Sequence, residues 1–123
     1  MGLDMSARTT AEKPVSEVDF TTAESAELHY WRKHPNLHGW MERLYRAKGG
    51  SANSFNCVSV ELKQADLDLL EAAIRKKRLP HTEGFFFGAS DGSESEMAED
   101  LAFVAKARQA LADNLTVYYT SWW

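Results

Sequence analysis

The chain has 123 residues, 44% of them hydrophobic and 26% charged, with a formal net charge of −4. That length suits one domain with a core that needs no metal or disulfide. The single cysteine, Cys57, excludes an internal disulfide and a multi-Cys zinc site, and the acidic balance argues against a general nucleic-acid binder.

In chain order, "GLDMSAR" alternates Leu3, Met5 and Ala7 with polar neighbours and predicts a short strand. Residues 9–24 are polar, carry Pro14 and read as a flexible loop within the single domain 1–123. "AESAELHYW" suits either a helix start or a strand end. From Pro35, the stripe Leu37, Trp40, Met41, Leu44 and Tyr45 predicts an amphipathic helix, opened by proline and closed at Gly49-Gly50. "SFNCVSVEL" is rich in β-formers and predicts a strand, with Phe55, Cys57 and Ser59 on one face and Cys57 as a small core residue. Leu67, Leu70, Ala73, Ile74 and Lys77 mark a second helix, acidic at its start and ending in Arg75-Lys76-Lys77-Arg78, as the helix dipole favours. "GFFFG" has the composition of a central strand buried on both faces. A third helix follows, capped by Ser93 or Ser95, with Leu101, Val104, Ala105, Ala107 or Arg108, and Leu111 inward. "LTVYYTSWW" closes the chain as a strand. The expected fold is α+β: a sheet of about four strands, in the order β-α-β-α-β-α-β, with three or four helices packed on it.

Chemistry is sparse in this pattern. His34 and His38 stand at the four-residue spacing of two zinc ligands, but position 35 is Pro, no third ligand is indicated, and no metal or cofactor is expected. Arg32 and Lys33 before a helix start could gather an anion, and are otherwise solvated charges. Trp40 falls on the helix stripe and reads as core, whereas Trp31 and His38 read as surface groups. "GFFFGASDGSE" lacks both phosphate-loop patterns, and Asp91, Glu94, Glu96, Glu99 and Asp100 would repel a phosphate. Those acids complement the helix dipole, form an acidic docking face or, without the EF-hand order, hold a hard cation. No G-x-S-x-G and no Ser-His-acid order stands out, so no motif supports catalysis. In "YYTSWW", rings fall on both faces of the strand, which requires either two covered faces or one row left for a partner.

Taken together, "GLDM", "YWRK" followed by "LHGW", "LP…GFFFG" with an acidic helix after it, and the closing "YY-x-S-W" resemble a family of small uncharacterised proteins from tailed bacteriophages, prophages and bacteria. Some of its members carry a phosphoglycerate kinase label, which a chain without two domains and a nucleotide site does not support. The resemblance implies a phage-type accessory protein that binds and modulates or inhibits a host protein, such as an anti-CRISPR-like inhibitor of a basic, nucleic-acid-handling defence complex. The candidate binding residues are Tyr30, Trp31, Arg32, His38, Asp91, Glu94, Glu96 and Trp122. Two alternatives stand beside it: a small-ligand or enzyme pocket built from Tyr30, Arg32, His38 and Trp122, and a self-associating structural protein dimerising through its final strand. The first twenty residues hold no apolar run of signal-peptide length and no segment suits a bilayer, so no membrane contact, no direct nucleic-acid contact and a cytoplasmic location in a bacterial host are expected.

Overall fold

The computed structural model describes residues 2–84, 87–90 and 92–123. It contains β1 (Asp4–Thr10), β2 (Ala26–Arg32), α1 (Pro35–Ala47), β3 (Ser59–Leu62), α2 (Gln64–Arg75), α3 (Glu94–Ala112) and β4 (Thr116–Trp122). The strands form one antiparallel sheet in the order β2-β1-β4-β3. The fold is α+β as expected, but the element order is β-β-α-β-α-α-β. No helix is long and apolar enough among the described residues to cross a membrane.

Strand alternation divides the side chains into two faces. Met5, Ala7, Trp31, Val60, Leu62, Val117 and Tyr119 are buried in the core with Leu37, Met41 and Tyr45 of α1, Leu67, Leu70 and Ile74 of α2, and Phe103, Val104 and Ala107 of α3. The helical stripes therefore hold for α1 and α2, and Trp40 packs partly buried against this core. α3 differs in detail. Its inner side includes Asp100, Phe103 and Ala110, while Ala105 is exposed, because its apolar residues are spread around the helix. Lys77 lies beyond the end of α2 with φ 54°, exposed instead of inward.

One open reading is settled and two expectations are corrected. The "AELHYWR" segment is strand β2, which pairs with β1 from Asp4↔Arg32 to Thr9↔Ala26 across a bulge at Ala7/Arg8. Among the described residues of "GFFFG" there is no strand: the Phe87 N–H turns back to the Gly84 carbonyl, and Gly88 takes φ 73°. Phe85 and Phe86 lie outside the described residues. β3 begins only at Ser59, since Cys57 adopts φ 59° and donates its N–H to the Ser121 carbonyl; its side chain is exposed instead of core. Left-handed backbone of this kind ends an extended run.

Thr9 and Thr10 of the expected loop belong to β1. Residues 17–22 of that loop run along the outer edge of β3 and onto the face of the sheet away from the helices. Val18 bridges Val60, Asp19 N–H donates to the Ser59 carbonyl, and Glu61 N–H donates to the Glu17 carbonyl. Phe20 meets Tyr118 edge-on at 5.2 Å, and the hydroxyls of Thr22 and Tyr118 lie 3.0 Å apart. The outer edge of β3 is thereby covered. β4 is an interior strand between β1 and β3, so the final strand offers no free edge for dimerisation.

Candidate functional site

Two groups of side chains stand out, one on the open face of the sheet and one buried beside it. On the open face, strand register places Asp4 opposite both Arg32 of β2 and Trp122 of β4. Ser6, the next residue on that face, pairs with Tyr30. The Tyr30 hydroxyl donates to Asp4 Oδ1, which holds the phenol above its usual pKa, and Arg32 Nε lies 3.5 Å from the same oxygen. Trp122 is 70% exposed and Tyr30 46%. A surface recess of about 410 Å³ is lined by Gly2, Asp4, Arg32, Trp122 and Trp123. A second recess meets it at Arg32 and is lined by Tyr30, Lys33, His34, Glu96 and Glu99 among others. Three of the candidate residues, Tyr30, Arg32 and Trp122, are thus brought together, and Glu96 borders them. Glu94 is exposed at the start of α3. Asp91 lies outside the described residues.

Trp31 and His38 are not surface groups. Trp31 is 4% exposed, with its ring against Phe103 and its indole Nε1–H donated to Asp100 Oδ1 at 3.1 Å. His38 is 1% exposed and lies on the helix side of the sheet, where its Nδ1 is 2.7 Å from the Tyr119 hydroxyl and its ring touches Phe55 and Phe87. Burial pushes its pKa down to about 4, with the Phe55 backbone opposing slightly, so His38 is neutral at physiological pH. The same burial raises the Tyr119 phenol well above its usual value. Tyr119 and Asp4 point to opposite faces, being opposite Ala7 and Trp122 in the register, so the four-residue pocket of Tyr30, Arg32, His38 and Trp122 is not assembled.

The second group was not legible as a site in the sequence. His34, the residue preceding α1, is 4% exposed. Its Nδ1 is 2.6 Å from Ser90 Oγ and its Nε2 is 2.8 Å from Asp100 Oδ2. Asp100, 2% exposed, takes the Trp31 indole on its other oxygen. Ser90 Oγ accepts the Asn36 N–H at 3.0 Å, which satisfies one of the free amides at the start of α1. Glu96 Oε1 stands 3.7 Å from His34 Nε2. His34 and His38 thus face different partners despite their spacing. Among the described residues no group of three or more His, Cys, Asp or Glu is placed to hold a metal ion.

Among the remaining charges, Glu71 accepts from Arg75 Nε at 2.7 Å and also from Arg108, whose Nη2 reaches Asp68 Oδ1 at 2.7 Å, so α2 and α3 are joined by an ion-pair network. Of the basic run, Lys76, Lys77 and Arg78 are exposed. No family model matches the chain, and neither a curated protein nor a solved structure matches it.

Proposed function

We propose that this chain acts by surface contact: it is an accessory protein of a bacteriophage or prophage that binds, and modulates or inhibits, a protein in the cytoplasm of its bacterial host. A defence complex that handles nucleic acid is the kind of partner this reading favours, with no direct nucleic-acid contact by the chain itself. The observation that carries the reading is the convergence of Tyr30, Arg32 and Trp122 on one open sheet face, with Trp122 70% exposed. Tyrosine, tryptophan and arginine dominate the energetics of protein interfaces, and here all three lie exposed across three neighbouring strands of one face. Asp4 holds Tyr30 and Arg32 in place before any partner arrives, which lowers the ordering cost of binding. Glu99, exposed on α3, lines the recess beside Tyr30, Arg32 and Lys33, and Glu94 is exposed at the start of the same helix; these carboxylates suit a basic partner.

The test is affinity capture from host lysate with the wild-type chain, the double variant Arg32→Ala/Trp122→Ala, and the charge reversal Glu94→Lys/Glu99→Lys. The reading expects a partner that the wild-type chain retains, that the double variant loses, and that the reversal weakens most at low salt. A capture profile identical for all three chains, each shown to be folded, would sink it.

A further inference from the structure

The chain Ser90–His34–Asp100 is largely buried, with His34 also bordering the recess at Arg32, and its hydrogen-bond pattern suits nucleophilic chemistry. In the neutral ring, Asp100 Oδ2 can only accept and so takes the proton on His34 Nε2, which leaves Nδ1 to accept from the Ser90 hydroxyl, 2.6 Å away, while Ser90 Oγ accepts the Asn36 N–H. The Trp31 indole holds the carboxylate's other oxygen and fixes its orientation. A buried carboxylate thus selects the tautomer whose bare nitrogen faces a hydroxyl, which is the relay of serine hydrolases with the two ring nitrogens exchanged.

The geometry points to a second capacity of this chain, hydrolysis of a small ester of a short acyl group, with Ser90 as nucleophile, His34 as general base and Asp100 as positioning residue. Ser90 is half-buried and borders a recess of about 90 Å³ with Asn36, Thr82, Gly88 and Ala89, room enough for a short acyl chain only. Ser90 Oγ adds to the ester carbonyl carbon as its proton passes to His34 Nδ1. The adduct collapses, the bond from carbon to the alcohol oxygen breaks, and the alcohol leaves with the proton from His34. Water then adds to the Ser90 acyl ester and gives a proton to His34; the bond between Oγ and the acyl carbon breaks, Oγ regains that proton, and a carboxylic acid leaves.

The probes are p-nitrophenyl acetate and an alkyl fluorophosphonate, applied to the full chain and followed by absorbance and by intact and peptide mass. A single adduct on Ser90 is expected, with ester turnover falling about 100-fold or more in Ser90→Ala and in His34→Gln while circular dichroism is unchanged. Asp100→Asn would present an amide N–H to Nε2 and force the ring proton onto Nδ1. That variant is expected to lose turnover and to displace the acid limb of the pH–rate profile, which a purely structural contact would not move. Absence of any Ser90 adduct at saturating probe, or wild-type turnover in folded Ser90→Ala, would overturn the proposal and leave Ser90 as a side-chain cap for α1. Ser90→Ala is expected to keep partner capture and Trp122→Ala to keep ester turnover, so the two readings fail separately.

Discussion

Replacing His38 by glutamine should flatten the acid sensitivity of this fold. His38 is neutral in the folded chain, with a pKa held near 4 by burial, whereas an unfolded histidine takes up its proton near 6.5. The stabilisation that follows is fully present above the unfolded value and is lost as pH falls from 6.5 towards 4, because only the unfolded chain binds the proton in that window. Between pH 7.5 and pH 4.5 the difference amounts to about 2–3 kcal/mol, at about 1.4 kcal/mol per pKa unit. Glutamine can accept from the Tyr119 hydroxyl and donate to the Phe55 backbone as the imidazole does, and it does not titrate. Urea unfolding followed by tryptophan fluorescence at the two pH values reads the effect as a midpoint shift of about 1–2 M for the wild type. The same shift in folded His38→Gln, or an NMR titration placing the His38 ring near 6.5, would refute the reasoning.

Tyr119→Phe removes the hydroxyl bonded to the His38 ring and should cost about 1–3 kcal/mol, read by thermal or denaturant unfolding. Gly39→Ala places a Cβ 1.9 Å from Thr82 Oγ1 on the core side of α1; a loss of about 1–3 kcal/mol is expected, with partial recovery in the double variant Gly39→Ala/Thr82→Gly, by the same measurement. Arg108→Ala breaks the link from α3 to Asp68 and Glu71 of α2, and since these groups are partly solvated the cost should stay near 0.5–1 kcal/mol and shrink in high salt.

Helices α1 and α2 were legible because a 3.6-residue stripe survives in sequence whatever the tertiary context, and β4 because its β-branched and aromatic residues leave few other uses. "GFFFG" misled for a physical reason: a short apolar run between glycines has one composition for a buried strand and for a turn that drops a ring into the core. Phe87 does the latter, with its ring 5.1 Å from His38 and 5.0 Å from Trp123. Trp31 lies outside the α1 stripe, whereas His38 shares the face of Met41 and Tyr45 and only its polarity suggests a surface position; each is buried through a polar partner distant in sequence, Asp100 and Tyr119. The Ser90–His34–Asp100 chain joins residues 56 and 66 positions apart, and no local spacing records such a meeting. The Tyr30–Arg32 pair could be named from its neighbours, but its junction with Trp122 exists only through strand register at Asp4.

The sheet's two interior strands are β1 and β4, the earliest and the latest strands to be translated. β1 can therefore pair with β2 early in synthesis, but its other edge stays open until β4 has been made. Closing the sheet depends on a distant pairing, of the kind that proceeds in milliseconds to seconds and leaves an open edge exposed to aggregation in the meantime. A stop codon that removes β4 would consequently deny the nascent chain its central seam and not merely shorten its tail.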